Sequence, residues 1–223
     1  TIIAVAYENM EGFFPPKKII LTGNPVRKSL LTCYLKIKKN KKASSFKKNN
    51  LNLLVLGGSL GSKKINEVIS DSISFFNKNK IKVIWQCGTN YYERYKTFEN
   101  KFVKIFPFLE QIEKFYEECD IVISRAGALT ISELCIVGKP SILVPSPNVS
   151  ENHQFYNAKY LLDRKAAIMI EEEKINDELL LYLQKLLESK EIRTHLSNTI
   201  RKLARPNAVN EIVSLINKIL VNG

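Results

Sequence analysis

The chain has 223 residues, of which 45% are hydrophobic and 25% are charged, and its formal net charge is +12. These values are typical of a soluble enzyme domain that buries one good core and carries an appendage. A membrane-spanning helix is excluded, because no apolar run approaches the roughly 18 residues that such a helix requires. The histidines and acidic residues show no metal-ligand spacing, so we expect neither a metal nor a cofactor.

The chain begins in a strand-like run, Thr1–Tyr7, with no strand before it to pair with. Because one unpaired strand cannot form a domain, we expect the chain to be the second part of a larger unit. Residues 1–27 are therefore interpreted as the end of a preceding domain and a connecting segment. Residues 28–50 are predicted to be a basic linker or loop, because seven lysines lie between Lys36 and Lys48.

Strands alternate with helices from Leu51 to about Asn176, which predicts an α/β fold with a doubly wound parallel sheet. Ligands of such sheets bind beyond the carboxyl ends of the strands. The predicted strands are Leu51–Leu56, Lys82–Gln86, Val103–Phe106, Asp120–Ser124, Ser141–Val144 and Ala167–Ile170. The predicted helices between them are Ser62–Asn77, Tyr91–Glu99, Leu109–Glu118, Leu129–Val137 and Glu151–Asp163. Helical patterns alone follow, at Asp177–Glu188, Glu191–Leu203 and Ala208–Leu220.

A glycine-rich turn, Gly57–Gly61, follows the first strand of this series and precedes an amphipathic helix. Its spacing matches neither the dinucleotide fingerprint nor the Walker A loop. It is typical of a short phosphate-binding turn, with the Ser59 hydroxyl as an additional donor.

A second turn of this kind lies in the stretch Asp120–Pro145, where a buried strand is followed by Arg125-Ala126-Gly127 and a helix that carries Glu133. Small residues let a ligand approach the backbone, and the helix N-terminus favours an anion. Glu133 lies about one and a half turns into the helix, where its carboxylate can accept hydrogen bonds from both hydroxyls of a ribose. A βαβ unit with punctuating glycines would explain either stretch alone, but the two together favour a nucleotide site.

Five motifs carry a resemblance to a known family: LTGNPVR (Leu21–Arg27), GGSLGS (Gly57–Ser62), RAGALTISE (Arg125–Glu133), VPSP (Val144–Pro147) and ENHQFYNA (Glu151–Ala158). Their order and spacing resemble the MurG family, the N-acetylglucosaminyltransferases that convert lipid I to lipid II in bacterial peptidoglycan synthesis. That family has two Rossmann-like domains that face each other across a cleft, the GT-B arrangement. The resemblance implies that residues 51–205 form the UDP-sugar-binding, carboxyl-terminal domain. Residues 206–223 would form a helix that packs back toward the amino-terminal domain.

The resemblance also implies roles for the nucleoside contacts. Arg27, which closes NPVR, is similar to an arginine that reaches the uracil. Leu109 would offer backbone groups to the uracil edge, with Phe108 packing beside it. Glu133 would hold the ribose hydroxyls.

For the diphosphate and the sugar, the resemblance implies a hydroxyl contact from Ser59 and a helix mouth formed by Ala128, Leu129 and Thr130. His153 and Gln154 fall where many members have two glutamines that contact the transferred sugar. The histidine is a departure, so which of the two makes the contact stays open. Asn157 is interpreted as capping or packing its helix, and Arg125 as half of a structural ion pair.

No residue of this chain matches the histidine that the family proposes as catalytic base, which lies in the amino-terminal domain. The resemblance therefore implies a donor-binding half that transfers no sugar alone, as an incomplete copy or as one chain of a two-chain enzyme. It also implies lipid I as the acceptor, and a peripheral position on the cytoplasmic face of the inner membrane.

Three alternatives stay open. Another UDP-sugar transferase or an epimerase of the same fold would keep the nucleotide contacts and differ in its acceptor or sugar. A non-catalytic nucleotide-sugar-binding remnant is the second. The third is a basic nucleic-acid-binding domain, which we disfavour because no aromatic residues interleave with the lysines.

Overall fold

The protein is described by a computed structural model over residues 2–8, 10–39 and 51–222. Its strands are β1 (Ile3–Val5), β2 (Ile19–Leu21), β3 (Asn52–Leu56), β4 (Lys82–Gln86), β5 (Val103–Phe106), β6 (Ile121–Ser124), β7 (Ser141–Leu143) and β8 (Ile168–Met169). Its α-helices are α1 (Lys28–Lys39), α2 (Lys63–Asp71), α3 (Ile73–Lys78), α4 (Tyr92–Tyr95), α5 (Ile112–Glu118), α6 (Ala128–Val137), α7 (His153–Asp163), α8 (Ile175–Glu188), α9 (Lys190–Lys202) and α10 (Ala208–Asn222).

The main sheet has six strands in the order β5-β4-β3-β6-β7-β8, and every neighbouring pair is parallel. After β3 the chain adds β4 and β5 on one side, and it then crosses over to place β6 on the other side of β3. The predicted doubly wound parallel sheet is thereby confirmed. The crossover makes the space between the carboxyl ends of β3 and β6 the topological switch point, where ligands of such sheets bind.

The core forms two layers, because alternate residues of each strand point to opposite faces of the sheet. On β3, Leu53 and Val55 pack in the layer that α2, α3 and α8 cover, whereas Leu54 and Leu56 face the layer of α1, α5, α6 and α7. Trp85 on β4 is fully buried in the first layer, and its indole Nε1 donates to Asn66 Oδ1 at 2.9 Å. Cys87, Cys119 and Cys135 are buried free thiols.

The segment predicted as a basic linker or loop begins with a helix, α1, so that prediction is wrong for residues 28–39. The lysine-rich sequence concealed a helical pattern in which Leu30 becomes fully buried. Leu30 belongs to the same core layer as Ile131 and Leu134 of α6. The remainder of the predicted linker, residues 40–50, lies outside the described residues.

Two other predicted helices are interrupted. The pattern Ser62–Asn77 corresponds to α2 and α3, which are separated at Ser72. The Ser72 hydroxyl donates to the Val68 carbonyl at 2.6 Å, a local bond that competes with the helical ladder. The pattern Tyr91–Glu99 contains only the four-residue helix α4 between two 3-10 turns.

Residues 2–8 and 10–27 pack against the sheet domain. The starting strand β1 has a parallel partner, β2, which the sequence did not reveal. The Tyr7 hydroxyl donates to the Ala128 carbonyl at 3.2 Å, and Asn24 Nδ2 donates to Ser132 Oγ at 3.1 Å. This segment is therefore held against the first turn of α6. Across residues 2–8, 10–39 and 51–222, no helix combines the length and apolar character needed to cross a bilayer.

Candidate nucleotide site

The two glycine-containing turns singled out in the sequence flank the switch point of the sheet. Gly57–Gly61 follows β3, and Arg125–Gly127 follows β6. Their strands are direct neighbours, since Leu56 pairs with Ser124 at the last position of both. The fold therefore brings both turns to one crevice at the carboxyl edge.

The turn after β3 has a geometry that only glycine accommodates easily. Gly58 and Gly61 both have a φ of +87°, in the left-handed region. The Gly61 amide donates to the Gly58 carbonyl at 3.1 Å, and Gln86 Nε2 donates to the same carbonyl at 3.0 Å. Ser59 is exposed between them. The bond from Gln86 on β4 thus fixes the turn, and the Ser59 side chain on it is exposed to solvent.

Helix α6 presents an uncapped N-terminus to the crevice. Its N-cap residue is Gly127, which makes no side-chain capping bond. The backbone N–H groups of the first turn, on Ala128, Leu129 and Thr130, precede the first intrahelical donor, Ile131, whose amide bonds to Gly127 O at 2.9 Å. These N–H groups and the helix dipole together favour an anion such as a diphosphate.

Two side chains of α7 hold the turn before α6. Gln154 Oε1 accepts hydrogen bonds from the backbone N–H of Ala126 at 3.2 Å and of Ser146 at 3.0 Å. Asn157 Nδ2 donates to the Ala126 carbonyl at 3.0 Å, so this amide links α7 to the turn before α6. The Gln154 oxygen is therefore committed to the backbone, and only its amide nitrogen remains to donate to a ligand.

Arg125 has a structural environment, as predicted. Its guanidinium forms an ion pair with Glu172 and donates to the carbonyls of Val144 and Pro145, each at 3.2 Å. These contacts tie the turn after β6 to the chain that follows β7. Arg125 thereby fixes the position of the turn that lines the crevice.

Glu133 lies between Arg27 and Tyr116. Arg27 Nε is 3.3 Å from Glu133 Oε1, and the Tyr116 hydroxyl is 3.5 Å from Glu133 Oε2. Burial raises the pKa of Glu133, whereas Arg27 and the Tyr116 hydroxyl oppose that shift. The side chain of Glu133 is only 13% exposed and that of Arg27 is 49% exposed, so Arg27 covers the carboxylate from the solvent side.

The remaining predicted residues lie around the same edge. The Leu109 side chain is buried, so only its backbone can meet a ligand, while Phe108 beside it is 49% exposed. His153 is exposed at the start of α7, and its Nδ1 lies 2.9 Å from the Ser150 carbonyl, which leaves Nε2 free to face a ligand. Across the described ranges, no cluster of three potential metal ligands occurs.

The sequence did not point to Tyr116 or Asn24, although both contact the helix that carries the site. Tyr116 belongs to the apolar face of α5, where an aromatic ring is typical of a core residue. Its link to Glu133 spans 17 residues, so no local pattern reveals it. The only sequence signal was a polar hydroxyl on an otherwise apolar helix face.

An open parallel sheet with a glycine turn, an uncapped helix N-terminus and a half-buried carboxylate at its switch point defines a domain of the Rossmann-like class. Residues 52–212 match the family model described as the glycosyltransferase family 28 C-terminal domain. The chain therefore belongs to this glycosyltransferase family.

Curated relatives agree with this family. The chain is 44% identical over 221 residues to the UDP-N-acetylglucosamine--N-acetylmuramyl-(pentapeptide) pyrophosphoryl-undecaprenol N-acetylglucosamine transferase of Flavobacterium psychrophilum, covering 98% of this chain and 60% of the relative. It is 42% identical to the protein of the same description from Cytophaga hutchinsonii, covering 98% of this chain and 59% of the relative. The chain thus spans about 60% of the length of these relatives.

Solved structures show the same architecture. MurG of Acinetobacter baumannii superposes with a TM-score of 0.74 and 29% identity, covering 91% of this chain and 58% of that chain. The UDP-GlcNAc 2-epimerase of Neisseria meningitidis, bound to UDP-GlcNAc, gives a TM-score of 0.61 at 18% identity, covering 94% of this chain and 57% of that chain. At that identity the second likeness concerns the fold alone.

Proposed function

We propose that this chain is the donor-binding half of an inverting glycosyltransferase that moves N-acetylglucosamine from UDP-N-acetylglucosamine to lipid I, giving lipid II in peptidoglycan synthesis. The observation that carries the proposal is the convergence of Ser59, the N-terminus of α6 and Glu133 at the switch point of the sheet. The name shared by the relatives supplies the substrates.

In the proposed complex, Glu133 accepts the ribose hydroxyls, and the uracil lies toward Arg27 and the backbone of Leu109. The diphosphate lies between the Ser59 hydroxyl and the N–H groups of Ala128, Leu129 and Thr130. As the glycosidic bond breaks, negative charge accumulates on the departing diphosphate. The preorganised N–H groups and the dipole of α6 stabilise that charge.

The binding of the acceptor, lipid I, is assigned to the whole protein and not to the residues of this chain. The relatives are longer than this chain, and the remaining part of their length is the proposed source of the catalytic base and the lipid I site. Residues 51–205 are the donor domain in this proposal, and residues 206–223 pack toward that other part. Helix α10 fits this role, because Val213, Ile216 and Leu220 form an exposed apolar stripe on it. The whole enzyme would work at the cytoplasmic face of the membrane that holds lipid I.

Isothermal titration calorimetry with the 223-residue chain tests donor binding. We expect heat for UDP and UDP-N-acetylglucosamine, and much weaker binding of ADP, whose purine does not fit a uracil site. The absence of heat with UDP at millimolar concentration, on protein shown to be folded, would refute the proposal. Mixing the chain with the amino-terminal domain of a relative and lipid I then separates a transferase from an epimerase, through lipid II or through UDP-N-acetylmannosamine as product.

His153 and Gln154 are expected to differ as alanine variants. His153→Ala should weaken binding of UDP-N-acetylglucosamine about threefold to tenfold and leave UDP unchanged, because its free Nε2 is proposed to meet only the sugar. Gln154→Ala should weaken both ligands, because the Ala126 and Ser146 amides lose their acceptor. Calorimetry with the two ligands measures both effects. A loss for UDP in His153→Ala would move this residue from the sugar to the diphosphate.

A further inference from the structure

Tyr116 is the one partner of Glu133, among the described residues, that reaches it from the core. The tyrosine is fully buried, and it packs in the core layer beneath α6. Its hydroxyl points to Glu133 Oε2 at 3.5 Å, while Arg27 occupies Oε1 from the solvent side at 3.3 Å. The two oxygens of the carboxylate therefore have different partners, one internal and one exchangeable.

A ligand can replace Arg27 but cannot reach the inner oxygen without displacing the tyrosine. The Arg27 side chain is 49% exposed and belongs to the connecting segment, so it can turn away. The Tyr116 ring cannot turn away, because it is enclosed by core residues. The distance of 3.5 Å is long for a hydroxyl–carboxylate bond and leaves the hydroxyl room to tighten onto the carboxylate.

We infer that Tyr116 is a positioning residue for ribose recognition: its hydroxyl holds the Glu133 carboxylate at the angle at which the other oxygen meets the ribose diol. The inference rests on the proposed nucleotide site. A carboxylate on a helix otherwise rotates freely about its last bond, and fixing one oxygen orients the other. Preorganised acceptors bind more tightly because the ordering cost falls before the ligand arrives.

The directions of the pKa shifts of Glu133 and Tyr116 agree with the same arrangement. The charged and titratable groups around Glu133 are Arg27 and Tyr116, and Cys119 lies next to the tyrosine. The Tyr116 hydroxyl lowers the pKa of Glu133, against the raising effect of burial. Burial and the Glu133 charge raise the pKa of Tyr116 well above its ordinary value, so the hydroxyl keeps its proton and remains a donor.

Tyr116→Phe tests the inference, because it removes one oxygen atom and leaves the ring. We expect UDP to bind about tenfold more weakly, which is the order of one hydrogen bond to a charged group, while 2′,3′-dideoxy-UDP binds as it does to the unchanged protein. The pKa of Glu133 should rise, so the affinity for UDP should begin to fall at a higher pH in the variant as the solution is acidified. Replacement of Tyr116 by 4-aminophenylalanine, which restores a donor, should recover part of the affinity.

Tyr95→Phe is the matched control. Tyr95 is equally buried, lies in the other core layer, and its hydroxyl has no hydrogen-bond partner among the described residues. It should bind UDP like the unchanged protein. Thermal unfolding of both variants separates a loss of binding from a loss of folding.

The outcomes distinguish this inference from the proposed function. Equal binding of UDP and 2′,3′-dideoxy-UDP by the unchanged protein would remove the ribose role of Glu133 itself. Suppose that the unchanged protein prefers UDP to 2′,3′-dideoxy-UDP and that Tyr116→Phe keeps the same preference and the same pH profile. That result would overturn the positioning role alone. A uniform loss for both ligands would also overturn it, since that result indicates a structural effect. In a double-mutant cycle, Tyr116→Phe should add nothing to Glu133→Gln.

Discussion

Glu133→Ala is expected to weaken UDP binding by about 1.5–3 kcal/mol, the order of hydrogen bonds made by a charged group. The carboxylate is proposed to accept both ribose hydroxyls, and among the described residues its partners are Arg27 and Tyr116. Without the carboxylate, the two hydroxyls lose their acceptor and gain no replacement. Calorimetry with UDP measures the loss directly.

The ligand provides the sharpest control for this variant. The unchanged protein should bind 2′,3′-dideoxy-UDP about as weakly as Glu133→Ala binds UDP, and the variant should not distinguish the two ligands. If Glu133→Ala binds UDP as tightly as the unchanged protein does, then Glu133 is a helix residue without a role in binding. The free energy of unfolding should fall by about 1–3 kcal/mol, because the buried Tyr116 hydroxyl is left without its acceptor, whereas the half-exposed ion pair with Arg27 contributes only about 0–1 kcal/mol.

The pH dependence of UDP binding follows from the same group. Burial raises the pKa of Glu133 above its ordinary value, so the carboxylate takes up a proton at a higher pH than an exposed glutamate would. The ionised form is the one that accepts two hydrogen bonds. Binding is therefore expected to be full above this raised pKa and to weaken as the pH falls through it. Glu133→Ala should lack this acid limb, and a limb that persists in the variant would assign it to another group.

The structure also bears on Arg27, which is proposed to contact the uracil and whose guanidinium pairs with Glu133. Arg27 lies on Glu133, and its position at the start of α1 is fixed by the packing of Leu30 in the core. When the ribose takes the solvent-side oxygen of Glu133, Arg27 has to release it. Because Arg27 belongs to the connecting segment, donor binding and the position of that segment are coupled in this proposal.

The sheet and its turns were predictable because local chemistry determines them. All six strands of the main sheet, β3 to β8, lie where alternating or continuous apolar runs predicted them, to within one residue at each end. The turns at Gly57–Gly61 and Arg125–Gly127 were visible because glycine is needed where φ is positive or where a ligand approaches the backbone. Such signals lie within a few residues of one another, so a single sequence contains them.

The features that the sequence did not reveal depend on contacts between distant residues. Gln154 was expected to contact a sugar, but its oxygen bonds the amide of Ala126, which is 28 residues away. The pairing of β1 with β2 depends on a register that neither strand specifies alone. Helix α1 was hidden because the lysine run Lys36–Lys48 overlaps its end and suggested a linker, whereas Leu30 is buried and Leu31 and Tyr34 pack against the same core layer.

Gly61→Ala is expected to lower the free energy of unfolding by about 3 kcal/mol and to abolish UDP binding, because left-handed strain and steric overlap add together. A Cβ atom at position 61 would lie 2.2 Å from the Cys87 carbonyl oxygen and 2.6 Å from Cδ2 of Tyr91. The carbonyl belongs to the chain directly after β4, in the middle of the sheet, so it cannot move aside. The turn that holds Ser59 has to shift instead, and the proposed diphosphate contact is lost with it.

Gly58→Ala is the matched variant, because it separates the strain from the overlap. Gly58 has the same φ of +87°, but a Cβ atom there has nothing within 4 Å. Gly58→Ala should therefore lower the free energy of unfolding by only about 1 kcal/mol, the usual penalty of the left-handed region. Urea unfolding followed by the fluorescence of Trp85, the single tryptophan of the chain, measures both variants. Equal losses of unfolding free energy in the two variants would show that the close approach of Gly61 to the Cys87 carbonyl, directly after β4, does not constrain the turn. A loss in Gly61→Ala that is larger by about 2 kcal/mol would show that close backbone packing, and not φ alone, holds Ser59 in the crevice.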